Sequence, residues 1–291
     1  MIWLSKRRYI LFMLLPTVLV YLGYIILPVI VSFYYSLTEY SGIGAARFVG
    51  AQNYISLMHD SLFWISLKNT FIILLVAVVL LLPGSFLLAL LLNVKIRGGN
   101  AVKAMNFAPG IVAPILVGLI WVFILDPQTG LINAFLKNIG LEQLSLQWIG
   151  GKSLTPYSVG IVFTWQMIGF LATIFLAGLK MISRDVYESS SIDGASKLQQ
   201  LLHITIPMLN ETVKINVVLI ITGVFKIFET VLLLTNGGPN HLSDVMVTYM
   251  YNVTFTSGEY GYGMAIATVT FLLTMVFSIV YMGLSKKNIE E

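Results

Sequence analysis

Cysteine is missing from all 291 residues, which excludes disulfides and any thiolate acting as nucleophile or metal ligand. Charge is nearly as scarce. Only 10% of the residues are Asp, Glu, Lys or Arg, against roughly 25% in soluble domains. Histidine occurs three times, as His59, His203 and His241, each in a different connection, and that separation argues against a His-cluster metal site. What remains is apolar: 57% of the chain is hydrophobic and the mean hydropathy is strongly positive. Such a chain cannot solvate its surface in water.

A bilayer core about 30 Å thick takes about 20 apolar residues of helix to cross. Charge-free runs of that order occur at 9–38, 69–94, 104–125, 153–179 and 260–285. A weaker sixth, about 215–235, is interrupted by Lys226 and Glu229. None alternates with the period of two that barrel strands require. The expected fold is all-α: one polytopic integral domain over 1–291 with six transmembrane helices and no separate soluble module.

Orientation follows from the Lys and Arg of the connections. The side of the N-terminus carries twelve: Lys6, Arg7, Arg8, Lys95, Arg97, Lys103, Lys180, Arg184, Lys197, Lys214, Lys286 and Lys287. The other carries four: Arg47, Lys68, Lys137 and Lys152. Both termini and the 181–213 loop are therefore expected in the cytoplasm, with 126–157 and 236–263 outside. The net charge of +4 follows from this topology and calls for no nucleic-acid partner. Lys6-Arg7-Arg8 before an apolar run imitates a signal peptide. That run exceeds the roughly 7–15 residues typical of one, and no small-x-small cleavage site precedes Ser36, so an uncleaved first span is expected.

Pro16 and Pro28 fall in span 1, Pro83-Gly84 in span 2, and Pro109 and Pro114 in span 3. Each proline removes a backbone donor and can kink its helix. Bent helices around a pathway are one expectation; the other is that Pro and Gly are simply frequent in membrane helices. In the outside connections, Tyr54–Met58 and Leu131–Leu136 have the pattern of short amphipathic helices lying across the outer mouth, open to an external protein partner.

The least hydrophobic stretch between spans is 184–209. Arg184 to Ile192 can form about two turns of helix, and Asp193-Gly194 is a turn signal because Gly accepts positive φ. From Ala195 to Ile204 a second helix is expected, with Leu198, Leu201 and Leu202 as an apolar stripe. Pro207 should end it at the preceding residue. The product is either an L-shaped lever with an apolar edge for a partner's groove, or a solvated connector lying on lipid headgroups.

Lys226 and Glu229 would each cost roughly 2.5–3.5 kcal/mol at the bilayer centre, so they should face water or the bundle interior. Their i, i+3 spacing permits a mutual ion pair. They either line a solute path or hold span 5 to its neighbours. In span 4, Phe163, Gln166, Met167 and Phe170 share a helical face. An aromatic face with one amide suits a sugar, and it equally suits helix packing. Gly150-Gly151-Lys152-Ser153 imitates the end of a phosphate-binding loop, but the required earlier glycine is Leu146. No nucleotide site is expected in this chain.

Glu188, Asp193, Gly194, Ala195, Leu201, Ile204 and Pro207 fall in register on the "EAA" coupling loop of binding-protein-dependent ABC importers, and the 184–209 segment resembles it. Ser189 and Ser190 replace its two alanines and Ile206 a leucine. The stretch from Trp121 through Asp126-Pro127 to Gly130-Leu131-Ile132-Asn133 resembles the second outside loop of sugar-type permeases, and Leu234-Thr235-Asn236-Gly237-Gly238-Pro239 is similar to their LTxGGP segment. The resemblance covers nearly the whole chain and is nearest to the maltose and glycerol-phosphate permeases. It implies a type I ABC importer permease for a carbohydrate, multi-pass in a bacterial plasma membrane. Its partners would be a second homologous permease, two ATPase subunits that bind ATP and Mg, an external solute-binding protein and the sugar. The chain itself would hold no cofactor and catalyse nothing.

By the same resemblance, Glu188, Ser189, Asp193, Gly194, Ala195, Leu198, Leu201, Ile204 and Pro207 would couple to the ATPase. Phe163, Gln166, Met167, Phe170, Gly223, Val224 and Ile227 match positions that line the maltose site, and Lys226 and Glu229 would lie beside them. The residue types differ from the maltose case, so the sugar does not carry over. Two other classes compete. A secondary transporter would use intramembrane acids and often inverted repeats; Glu229 is the one acid within a span. An intramembrane enzyme would need a nucleophile–base or acidic pair, and no histidine lies inside an expected span.

Overall fold

The computed structural model describes residues 7–94, 98–151 and 153–287. Lys6, Lys95, Arg97 and Lys152, which entered the charge count and the phosphate-loop imitation, lie outside these residues, as do the side chains of Arg7, Arg8, Lys286 and Lys287.

In chain order the elements are α1 (Leu11–Ser36), the strands β1 (Thr38–Glu39) and β2 (Arg47–Phe48), α2 (Gln52–Met58), α3 (Ser61–Asn93), α4 (Gly99–Ile111), α5 (Pro114–Leu125) and α6 (Leu131–Asn138). Then follow α7 (Thr155–Met181), α8 (Arg184–Ile192), α9 (Lys197–Met208), α10 (Asn210–Phe225), α11 (Glu229–Thr235), α12 (Met246–Tyr251) and α13 (Tyr260–Lys287). The all-α architecture is as expected, with one addition: β1 and β2 pair antiparallel, Thr38 opposite Phe48 and Glu39 opposite Arg47. The short helices expected around Tyr54–Met58 and Leu131–Leu136 are α2 and α6.

Among the described residues, four helices, α1, α3, α7 and α13, are long and apolar enough to cross a membrane unaided, and the count reaches six if each of two bent pairs is one span. The run at 104–125 is not a straight span. It is α4 and α5, set at 94° about Val112–Ala113. Pro114 forces its predecessor out of the α region, and Ala113 takes ψ 133. The weak span expected at 215–235 is also different. Helix runs from Asn210 to Phe225, stops over Lys226–Phe228, and restarts as α11.

Five other prolines do not end their helices; Pro16 and Pro109 lie inside theirs, and the remaining three share a device. Pro28, Pro83 and Pro207 each follow a π-helical turn, at Leu22–Ile26, Ala77–Leu81 and Leu201–Thr205 respectively. A proline ring collides with the carbonyl four residues earlier and supplies no N–H. In each case that carbonyl, on Tyr24, Val79 or His203, lies within the π turn. Widening the turn to i→i+5 accommodates the ring and keeps the helix running. The expected stop before Pro207 is thereby corrected: helix continues to Met208.

The chain divides into two compact units, residues up to Phe63 with Met250–Leu272, and Trp64–Tyr249 with Leu273 onward. In the first, Asn53 Nδ2 donates to the carbonyls of Ser36 and Thr38, both at 2.8 Å, and Tyr262 donates to Asp60 Oδ2 at 2.7 Å. In the second, α7 is the central helix: 56% of its most apolar stretch is buried, against 22% for α3. Its Val159, Val162, Phe163 and Leu171 pack with Ile73, Ala77, Val117, Ile220, Val224 and Val231. Among lipid tails such packing is held by close contact more than by release of water, which favours small residues at crossings. A Cβ on Gly169 of α7 would lie 1.7 Å from the Asn106 carbonyl oxygen of α4. On Gly118 of α5 it would lie 2.8 Å from Leu233 of α11.

Candidate coupling loop and candidate solute path

Met181 ends α7, and Ile182-Ser183 leads straight into α8. Ser183 is the N-cap, its hydroxyl accepting from the Asp185 N–H at 3.3 Å, and Asp185 places a negative charge at the positive end of the helix. The far end closes in a Schellman motif. Gly194, at φ +82, donates to Ser191 O at 3.2 Å, and Ala195 donates to Ser190 O at 2.9 Å. Ser196 then opens α9 with a capping box, its N–H bonded to Gln199 Oε1 at 2.8 Å and its hydroxyl facing the Gln199 N–H at 3.4 Å. The second helix therefore starts at Lys197, two residues later than expected, because Ala195 and Ser196 are used by the two caps.

The two arms are also stapled together. Gln200, buried between the two arms, has its Nε2 among three acceptors: Ser191 Oγ at 2.8 Å, Ser190 Oγ at 2.9 Å and Tyr187 O at 3.2 Å. Both serine hydroxyls in turn donate to Tyr187 O, and the Tyr187 hydroxyl lies 3.0 Å from Thr205 Oγ1. Sequence reasoning missed this network. The available signal was three consecutive serines facing a Gln-Gln pair across a turn.

Of the residues singled out on this loop, Glu188, Ser189, Asp193, Gly194, Leu198 and Pro207 are exposed, while Ala195, Leu201 and Ile204 are half-buried. Ser189 contributes its carbonyl, which accepts from the Asp193 N–H at 3.0 Å. The exposed apolar side chains around the turn are Ile192 (87%), Leu198 (64%) and Leu202 (49%). Ile192 had not been picked out from the sequence.

The residues proposed for the solute path divide into two groups. Phe163, Val224 and Ile227 are buried in one cluster, with Met167 and Phe170 packed against it. Gly223 belongs with them, since a Cβ there would stand 3.0 Å from Phe163 Cζ. Gln166 is buried and donates from Nε2 to Val112 O at 3.1 Å. It thus satisfies a carbonyl freed by the α4–α5 bend. Lys226 and Glu229, by contrast, are exposed and make no salt bridge with each other. The pairing expected from i, i+3 spacing presumed a continuous helix, and the chain is non-helical between them. Lys226 caps the negative end of α10 and Glu229 starts the positive end of α11, so each charge meets a complementary helix terminus.

The outer segments are held by their own polar side chains. Asp126 Oδ1 accepts from the N–H groups of Thr129 at 2.7 Å and Gln128 at 2.9 Å and from the Thr129 hydroxyl at 3.0 Å. The Thr129 N–H first, then the Gln128 N–H and the Thr129 hydroxyl hold its carboxyl below the ordinary value. Asn133 is buried with its amide on the carbonyls of Pro127 and Leu146 and its Oδ1 on the Trp148 indole N–H. After α11, Ser243 Oγ lies 2.6 Å from Gly238 O, and Asn69 of α3 donates to the carbonyls of Leu242 and Asp244.

A family model described as "Binding-protein-dependent transport system inner membrane component" matches residues 82–289. A probable ABC transporter permease protein, YurN of Bacillus subtilis, is 33% identical over 99% of both chains. The trehalose/maltose transport system permease protein MalF of Thermococcus litoralis is 30% identical over 94% of this chain and 92% of its own. In the crystal structure of a bacterial ABC transporter involved in import of the acidic polysaccharide alginate, one chain superposes with a TM-score of 0.83 at 25% identity, covering 97% of this chain and 96% of that one. The chain belongs to the binding-protein-dependent transport system inner membrane component family, and is a multi-pass permease of an ABC importer, not an enzyme.

Proposed function

We propose that this permease carries a sugar or oligosaccharide across the bacterial plasma membrane and takes its drive from separate ATPase subunits through the 181–213 loop. The observation that carries the coupling role is the stapled turn. Its two short helices are fixed to each other by the Gln200 network and joined to α7 by two residues, while Ile192, Leu198 and Leu202 project from it. A rigid element with an apolar edge transmits displacement; a loose connector would dissipate it. Glu188, Ser189, Asp193, Gly194, Ala195, Leu198, Leu201, Ile204 and Pro207 form or shape that element.

The loop faces the cytoplasm with both termini, as the Lys and Arg distribution requires. Two ATPase subunits holding ATP and Mg close on each other, and their motion draws this loop toward its counterpart on a second, homologous permease. Rigid-body rotation then exposes the solute site to alternate sides. An external binding protein delivers the solute to the outer connections. The carbohydrate assignment rests on relatives whose names specify trehalose/maltose and starch degradation products. In the path, Lys226 and Glu229 offer polar groups to solute hydroxyls. Gly223, Met167 and Phe170 form the half-buried wall beside them, and Phe163, Gln166, Val224 and Ile227 set that wall's shape from behind.

Single cysteines introduced into this cysteine-free chain test the orientation. Replacements at the exposed Ser153 and Asn240 should label from outside intact cells, and one at Lys197 should not. In proteoliposomes, uptake should require ATP, the ATPases, the second permease and the binding protein. Uptake by this chain alone on an ion gradient would overturn the assignment.

A further inference from the structure

At the root of the coupling loop, where α3 ends, α4 begins and α7 passes into α8, lies a cavity of about 780 Å3. Among the described residues, three cations stand on its wall, Lys103, Lys180 and Arg184, and no carboxylate does. Among the described residues none of the three has a salt-bridge partner, and Glu188, four residues beyond Arg184, does not reach it. The first turn of α4 lines the same cavity. Its N-cap is Gly98 at φ +78, which has no side chain to cap the helix, and the turn holds no acidic residue. Uncapped N–H groups and the positive end of a helix add to the same field as the three side chains. One part of the wall is apolar, formed by Leu92, Leu179 and Ile182.

Unpaired cations around a cavity imply an anionic occupant; the apolar wall and the position at a membrane-spanning helix end favour one with a hydrocarbon portion. We propose that this cavity binds the phosphate of an anionic phospholipid, with Lys103, Lys180 and Arg184 on the headgroup and Leu92, Leu179 and Ile182 against its glycerol and upper acyl chain. Basic pockets between helices at a cytoplasmic membrane face are suited to such headgroups. Tyr187 lines the cavity and also bonds Thr205 across the loop. A bound headgroup would therefore brace the base of the coupling element.

The site goes beyond the transport assignment, and its test needs neither ATPase nor orientation, so either can fail without the other. The full chain, purified in neutral detergent, is loaded with phosphatidylglycerol or phosphatidylcholine, and retained lipid is counted by native mass spectrometry. The wild type should retain phosphatidylglycerol preferentially. Each of Lys103→Gln, Lys180→Gln and Arg184→Gln should weaken that preference by roughly five-fold, the triple variant abolishing it. A control triple variant, Arg47→Gln, Lys68→Gln and Lys137→Gln, removes as much charge elsewhere and should change nothing. A charge-preserving set, Lys103→Arg, Lys180→Arg and Arg184→Lys, should keep the preference even if the Gln set folds poorly. Unchanged preference in a folded Gln triple, or loss of preference in the charge-preserving set, overturns the proposal. Displacement of the lipid by millimolar inorganic phosphate would assign the cavity to a free anion and likewise overturn the lipid.

Discussion

The turn at Asp193–Ser196 and the gap at Lys226–Phe228 both interrupt helix, and they do so by opposite means. The turn is made by its own residues: a glycine at φ +82, a Schellman pair, then a Ser/Gln capping box. The gap contains neither proline nor glycine, only Lys226, Ile227 and Phe228. Ile227 and the following Val231 are buried in the central cluster, and α11 packs along α5, where Gly118 allows close approach. The first interruption is dictated locally. The second is imposed by tertiary packing, and it leaves two charges exposed.

The strongest way to break this contrast is at Gly194. Nothing lies within 4 Å of where its Cβ would be, so the cost of substitution is purely conformational. Gly194→Val should cost about 1–3 kcal/mol of strain at the turn and abolish ATP-driven uptake while leaving membrane insertion intact. Asn tolerates the left-handed region, so Gly194→Asn should retain most activity. Equal loss in both would show that something other than backbone conformation matters there.

Next comes the gap. Because Lys226 and Glu229 are unpaired, Lys226→Met and Glu229→Leu should each reduce uptake by roughly ten-fold, a loss of about 1.5 kcal/mol, the lower end for hydrogen bonds to charged groups. The double variant should show the product of the two losses. Recovery of uptake in the double variant would restore the ion pair and remove both charges from the path.

A smaller effect is expected at the staple. Gln200→Leu removes its amide while the Ser190 and Ser191 hydroxyls stay bonded to the Tyr187 carbonyl, a loss of about 0.5–1.5 kcal/mol. Faster hydrogen exchange across 187–200, with only a partial fall in uptake, would show that the caps hold the turn and the staple stiffens it. The smallest is Gln166→Ala. Losing the bond to Val112 O costs about 0.5–1.5 kcal/mol, a several-fold fall in uptake with solute affinity of the external binding protein unchanged. If the loss instead tracks solute identity, Gln166 touches solute directly.

What the sequence made legible follows the same division. The four unaided spans, the short helices α2 and α6, and the Gly194 turn were readable because each rests on a local pattern: an apolar run, an amphipathic repeat or a residue that tolerates positive φ. The 94° bend could be suspected from Pro114, yet its depth also depends on Gln166 reaching Val112 from α7. The expected stop at Pro207 was wrong, and the π turns before Pro28, Pro83 and Pro207 were not foreseen, since a π turn leaves no signature in composition. The span 5 gap was invisible. Two charges interrupt the apolar run there, and their i, i+3 spacing invited the continuous helix that the packing refuses.

The contact between α4 and α7 has a mechanical consequence. At Gly169 the backbone of α7 rests on the Asn106 carbonyl, and a Cβ at Gly110 of α4 would stand 3.4 Å from Gln166 O. The two close approaches lie about a turn apart, and at each one backbone meets backbone. On the coupling proposed above, a push arriving at Met181 would pass to α4 through these two contacts and so toward the 94° elbow.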